Sequence, residues 1–134
     1  MLLRWGLAIV LVIHGLGHVM FAMAAWTKTD VGFTANPWIL PGDVTVDSLA
    51  GTVSAIIWLL ALLGFLAAAF GLVTQTGWWP GVAVGAAALS LIVLLLWWQT
   101  VTPDSRLWAA LVDVAIIVAL AGPWKDRVVA IIAQ

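Results

Sequence analysis

Four long apolar segments divide this chain of 134 residues, at about residues 3–25, 50–73, 78–99 and 106–121. Each approaches or exceeds the roughly 18 to 20 apolar residues that a helix needs to cross a bilayer core of about 30 Å. Composition agrees, because 65% of the residues are hydrophobic and 8% are charged, whereas about a quarter are charged in soluble domains. We therefore predict one integral membrane domain, residues 1–134, with an all-α fold: a four-helix transmembrane bundle.

The segments between these spans predict how the helices are joined. Residues 26–49 contain Pro37, Pro41 and Gly42, which rule out a continuous helix, and they enclose an apolar centre. This pattern predicts an outer loop that lies at the membrane interface. Ser48 or Asp47 is expected to cap the helix that follows. Charged and apolar residues alternate at helical spacing in about residues 124–133, which predicts a C-terminal amphipathic surface helix.

Charge and composition exclude several classes of function. The net charge is −1 and no basic run is present, so we expect no nucleic-acid partner. The chain has no cysteine, which excludes disulfides, thiolate metal sites and thiol redox relays. No glycine-rich phosphate loop or nucleophile elbow is found in the sequence.

The flanking basic residues predict an orientation. Arg4, Lys125 and Arg127 fall on one side of the membrane, and Lys28 and Arg106 on the other. Since cytoplasmic flanks carry more Lys and Arg, we expect both termini to be cytoplasmic. The first apolar run is too long for the core of a signal peptide, and we expect it to be retained as a span.

Two histidines and one aspartate lie within the apolar segments. His14 and His18 are four residues apart, so a helix places them about 40° apart on one face and roughly 6 Å apart along its axis. Counting the rise per residue from the outer ends of the first and fourth spans places Asp113 at nearly the depth of His18. If those spans are adjacent, the carboxylate of Asp113 can accept a hydrogen bond from either imidazole.

Ionisable groups inside the membrane are costly, which makes these three residues the candidate site. One hypothesis is a hydrogen-bonded clamp between the first and fourth spans. A second is a metal site, because His14, His18 and Asp113 can supply three ligands. A third is a proton or quinone site, and a fourth is haem or pigment binding through His14 or His18. A bis-histidine haem would need a second chain, because both imidazoles share one helix face.

Small and aromatic residues suggest how the helices pack. Gly6, Gly15 and Gly17 predict a packed face on the first span, where another backbone can approach closely. Ser90 is expected to form an interhelical or a local hydrogen bond. Most of the ten tryptophans fall at or beyond the ends of the spans, as in an aromatic belt at the headgroups. These belt candidates are Trp26, Trp38, Trp78, Trp79, Trp97, Trp98, Trp108 and Trp124.

Arg4 followed by Ile13-His14-Gly15-Leu16-Gly17 resembles the first-helix signature of the DoxX-like family of small bacterial membrane proteins. The resemblance implies a four-helix bundle in the bacterial inner membrane and, in some relatives, association with a quinone-reducing system. Of the family's pattern, Arg4, His14 and Gly15 carry over, and His18 stands where we expect a lysine.

Further matches resemble four-span bacterial proteins that carry a generic permease label. They are His14-Gly15 with His18, Trp58-Leu59-Leu60-Ala61, Trp78-Trp79, and Ser90 with Trp97-Trp98. A chain this small, with no complete catalytic set, suggests a non-catalytic accessory or scaffold subunit that assembles with other membrane subunits or with itself. The alternative is a redox, proton, quinone or metal-handling protein centred on His14, His18 and Asp113.

Overall fold

A computed structural model describes residues 1–29 and 31–133, and this part of the chain is helical with no named strand. The six helices are α1 (Leu2–Gly17), α2 (Val19–Thr27), α3 (Leu49–Val73), α4 (Trp79–Leu96), α5 (Pro103–Ala121) and α6 (Lys125–Ala133). The Ser48 hydroxyl accepts a hydrogen bond from the backbone N–H of Gly51 at 3.2 Å. This contact confirms the predicted cap of α3.

Three of these helical stretches are long and apolar enough to cross a membrane: Leu2–Thr27, Leu49–Val73 and Trp79–Leu96. A fourth is added if Pro103–Ala121 and Lys125–Ala133, which are bent by 100° relative to each other, form one broken span. Within the described residues, the all-helical fold and its three or four candidate spans are consistent with a membrane protein.

Helix α3 lies at the centre of the packing. It packs against α1, α2 and α4, and α4 also packs against α5. The backbones of α1 and α5 do not pack closely on each other, and side chains of both helices line a cleft between them. Helices α1, α3, α4 and α5 therefore pack on one another in that order, and the cleft separates α1 from α5.

The boundary between α1 and α2 falls at His18, which the sequence did not predict. Nδ1 of His18 lies 3.0 Å from the carbonyl oxygen of His14 and 3.1 Å from that of Gly15. These are the carbonyls that the backbone N–H groups one turn later would use in an unbroken helix. Because the imidazole competes for them, the ladder is interrupted while the chain direction continues.

The loop between α2 and α3 lies against the end of α4 and the link to α5. Backbone hydrogen bonds join Thr34 to Thr100 at 2.8 Å and Ile39 to Leu96 at 3.0 Å. The Thr45 hydroxyl donates to the Asp47 carboxylate at 2.5 Å, and this bond lowers the pKa of that exposed acid. These contacts fix the loop over one end of the helices.

Two packing predictions are wrong in part. Trp97 is fully buried and Trp79 is 6% exposed, so both belong to the interior and not to an aromatic belt. Among the glycines of α1, Gly15 approaches Leu62 and Phe65 of α3 closely, whereas a Cβ atom at Gly6 or Gly17 would meet no atom within 4 Å outside the adjoining backbone of its own helix. The predicted glycine face is therefore a single close contact.

Candidate functional site

A polar layer lies between two apolar clusters of the interior. The first cluster includes Ala8 and Leu11 of α1 and Ala87 of α4, and the second includes Phe21 of α2 and Val93 of α4. His14 and His18 lie between the α1 and α2 residues of these clusters, and Ser90 lies between the two cluster residues of α4. Asp113 likewise lies between residues of α5 that pack on the two clusters. His14, His18, Ser90 and Asp113 thus lie at one level, between the two apolar clusters.

Both carboxylate oxygens of Asp113 are occupied by partners from other helices. Nε2 of His14 lies 2.8 Å from Oδ1, and the hydroxyl of Ser90 lies 2.6 Å from Oδ2. Asp113 is completely buried, and the side chain of His14 is 10% exposed. Since a buried carboxyl group is costly unless it is hydrogen-bonded, these two contacts account for its presence in an apolar interior.

Ser90 connects the carboxyl group to the second imidazole. Its hydroxyl oxygen lies 2.8 Å from Nε2 of His18, so the polar chain runs from His14 through Asp113 and Ser90 to His18. We call these four residues the polar network. The carbonyl of Ser90 also accepts a hydrogen bond from the indole of Trp58 at 3.2 Å, which fixes this turn of α4 against α3.

Aromatic rings enclose the two imidazoles. The ring of His14 lies edge-on to that of Phe65 with centroids 4.8 Å apart, and the His18 ring lies edge-on to Trp58 at 5.6 Å. The two imidazoles are themselves 5.2 Å apart between centroids. This packing restricts the rotation of both rings and holds Nε2 of each imidazole toward its partner.

A cavity of about 430 Å³ lies beside the polar network, in the cleft between α1 and α5. His14, His18 and Ser90 contribute to its lining, and most of the remaining lining is apolar. These other residues include Val10, Ile13, Gly17, Met20, Trp58, Leu94, Trp108, Ala109 and Val112. A concave apolar site of this size, with a few polar groups at one wall, is typical of small-molecule binding sites.

The structure brings together the three residues that the sequence singled out, but not as one shared cluster. Asp113 contacts His14 directly and reaches His18 through Ser90. Within the described residues, no group of three or more His, Asp or Glu side chains is arranged to hold a metal ion. The metal site of His14, His18 and Asp113 and the cofactor site of the two histidines stay predictions.

The interhelical hydrogen bond expected of Ser90 is confirmed, but its partners, Asp113 and His18, are not predicted by the sequence. A hydroxyl is common in such helices, however, and nothing in the sequence shows which neighbour it faces. Its depth, close to that of His18 and Asp113, is the signal from which the link could have been found.

Comparison of the chain with protein-family models, with curated proteins and with solved structures gives no match. Support for a function therefore comes from the fold, the polar network and the cavity.

Proposed function

We propose that this chain is a four-span membrane protein that takes a small apolar molecule from the bilayer into the cleft between α1 and α5 and exchanges a proton with it. One observation carries the proposal: an apolar cavity shares a wall with a continuous hydrogen-bonded chain of two imidazoles, a carboxyl group and a hydroxyl. In this arrangement α5 is the fourth span, and α6 lies along the membrane surface.

The rim of the cavity supports entry from the lipid. Ile13 and Trp108 both line the cavity and are 64% and 70% exposed. In a bilayer such side chains face acyl chains, because the outer surface of a membrane protein is apolar. A lipid-soluble ligand can therefore pass from the bilayer to the imidazoles without crossing a polar barrier.

The polar network supports proton exchange over a structural clamp alone. A structural clamp between α1 and α5 needs hydrogen bonds, but it does not need a cavity that reaches both imidazoles. Histidine and carboxyl groups at hydrogen-bond distance are the usual parts of acid–base sites. Molecules of the quinone class fit this chemistry, as expected from the resemblance to the DoxX-like family, which also remains a proposal.

Filling the cavity tests the proposal. Gly17 lines the cavity and Gly6 does not, and they lie eleven residues apart on one helix with open space at each Cβ position. The variants Gly17→Leu and Gly6→Leu are therefore matched, because both change a residue of α1 at which a Cβ atom meets no neighbour. The probe is 4-nitroanisole, an apolar aromatic that quenches indole fluorescence and can reach Trp58 and Trp108 in the cavity of protein reconstituted in nanodiscs.

We expect saturable quenching in the wild-type protein and in Gly6→Leu, and at least about a tenfold weaker affinity in Gly17→Leu, because a leucine side chain occupies the site. Equal affinity in the two variants, or quenching that never saturates in the wild-type protein, would contradict ligand binding in this cleft.

A second candidate, an accessory subunit of a larger membrane complex, is favoured by the surface of α5. Among the nineteen residues of this helix, Asp113 and Leu120 are the buried ones. The outer side carries large exposed apolar residues, including Leu107, Trp108, Leu111, Val114 and Val118. Either lipid or another membrane subunit can cover such a face. Cytoplasmic termini and a bacterial inner-membrane location remain part of both proposals.

A further inference from the structure

The hydrogen bonds of the polar network determine where several of its protons lie. Nδ1 of His18 is within hydrogen-bond distance of the carbonyl oxygens of His14 and Gly15. A carbonyl oxygen can only accept, so Nδ1 of His18 carries the hydrogen. If this ring is neutral, its Nε2 is an acceptor toward Ser90, and if it is an imidazolium, Nε2 is a donor.

Ser90 couples the state of His18 to that of Asp113, since a hydroxyl has one hydrogen to donate. When Ser90 donates to Oδ2 of Asp113, Nε2 of His18 must donate to Ser90, and His18 is an imidazolium beside a carboxylate. When Ser90 donates to His18, Oδ2 of Asp113 must donate to Ser90, and both groups are neutral. In both arrangements Asp113 and His18 together hold one proton more than a carboxylate and a neutral imidazole would hold.

His14 completes the assignment. In both arrangements Oδ1 of Asp113 is an acceptor, so Nε2 of His14 carries a hydrogen and the neutral ring has a bare Nδ1. Nδ1 of His14 makes no hydrogen bond within the described residues. This atom is not among the fully buried side-chain atoms that lack a partner, so it is accessible. His14 lines the cavity, and the network therefore presents a hydrogen-bond acceptor to a ligand.

We propose that the ligand of this cavity is an apolar molecule with an acidic hydroxyl group, such as a phenol or the hydroquinone form of a quinone, whose O–H group donates to Nδ1 of His14. This inference rests on the proposed function, because it names the ligand class of the same cavity. His14 contacts the ligand, Asp113 accepts the proton that His14 passes on, and Ser90 and His18 are positioning residues that act through Asp113.

Proton transfer from such a ligand balances within the network. With Asp113 as the carboxylate and His18 as the imidazolium, the ligand O–H bond breaks, its electron pair stays on oxygen, and an N–H bond forms at Nδ1 of His14. The N–H bond at Nε2 of the same ring breaks as an O–H bond forms at Oδ1 of Asp113. The products are a ligand anion, a neutral His14 and Asp113, and the positive charge of His18.

The test compares two probes that differ in one hydrogen-bond donor. 4-Nitrophenol and 4-nitroanisole share the nitroarene, but the ether has no O–H group. 4-Nitrophenol also absorbs visible light when it loses its proton. Both are titrated into nanodiscs at a pH at which free 4-nitrophenol is mostly un-ionised, and empty nanodiscs correct for partition into lipid.

We expect the wild-type protein to bind 4-nitrophenol about tenfold more tightly than 4-nitroanisole, because one hydrogen bond to a buried acceptor is gained. The bound phenol should show the nitrophenolate band. In His14→Gln, the side-chain amide can still donate to Asp113 but the Nδ1 acceptor is gone. The affinity ratio of the two probes should fall, and the band should disappear, because the amide oxygen can accept a hydrogen bond but does not take up a proton.

Equal affinities of the two probes for the wild-type protein would overturn the inference, and so would a nitrophenolate band that survives in His14→Gln. Either result leaves the proposed function standing if Gly17→Leu still weakens the binding of 4-nitroanisole. Loss of that sensitivity to Gly17→Leu is instead the result that removes the proposed function. The two failures are thus distinguishable with the same pair of probes.

Discussion

Asp113 carries a carboxyl group that is completely buried among apolar helices and hydrogen-bonded through both oxygens. A carboxyl group in the hydrocarbon region is disfavoured by roughly 3 kcal/mol on insertion scales. Its two partners, His14 and Ser90, also need it, because each would lose a hydrogen-bond partner in an interior with little water. The three side chains are therefore mutually dependent, and the effect of changing one depends on what replaces it.

Two substitutions at Asp113 separate shape from hydrogen bonding. Asp113→Leu leaves Nε2 of His14 without an acceptor and the hydroxyl of Ser90 with His18 alone as its acceptor, and we expect the free energy of unfolding to fall by about 1 to 3 kcal/mol. Asp113→Asn keeps the size and one oxygen, and it should cost about 1 kcal/mol or less. Reversible unfolding in mixed detergent micelles measures both. A leucine variant as stable as the wild-type protein would show that these hydrogen bonds contribute little to stability.

At the residue scale, the sequence predicted which ionisable groups matter but not all of their contacts. Depth along two spans predicted that Asp113 and the imidazoles lie at one level, and the contact with His14 is present. Depth alone does not show which face of a helix meets which neighbour. The route from Asp113 to His18 through Ser90 depends on where α4 lies between α1 and α5.

At the scale of helices, the apolar pattern predicted the positions of the helices well, and their boundaries and packing less well. Helices α3, α4 and α5 lie within or near the predicted spans. The boundary at His18 was not predicted, because it arises from a side chain that competes for carbonyls of its own helix. The cleft between α1 and α5 was also not predicted, since amphipathic patterns are weak when both core and lipid are apolar.

The exposed face of α5 distinguishes the two candidate functions. The chain has no cysteine, so a single-cysteine variant can be labelled without background. Leu111→Cys places the thiol on this face, and Leu63→Cys on α3 is the matched control, because the native side chains are 59% and 60% exposed. A lipid-soluble maleimide is applied to native membranes and to purified protein in nanodiscs.

If the protein works without a partner, Leu111→Cys and Leu63→Cys should be labelled at similar rates in both preparations. An accessory subunit should instead show at least about a fivefold slower labelling of Leu111→Cys in native membranes, with Leu63→Cys unchanged, because a neighbouring helix buries this face. Such selective protection would support the accessory role of α5.

At the scale of the whole molecule, three or four candidate spans enclose one polar layer between two apolar clusters. This division follows from composition, because a chain with 8% charged residues has few polar groups to place and puts several of them at one level. The total apolar length predicted a membrane protein. The cavity beside the polar layer depends on the spacing of helices far apart in the sequence, which composition does not determine.

The account depends on contact between His14 and Asp113 across the cleft in a bilayer. Solid-state NMR on protein labelled with ¹⁵N in the histidine rings and ¹³C at the aspartate carboxyl carbons measures this contact through dipolar coupling. We expect strong dephasing between the ring nitrogen of His14 and the carboxyl carbon of Asp113, because Nε2 lies 2.8 Å from the Oδ1 atom bonded to that carbon, and we expect its loss in Asp113→Asn. Absence of that coupling in the wild-type protein would contradict the account.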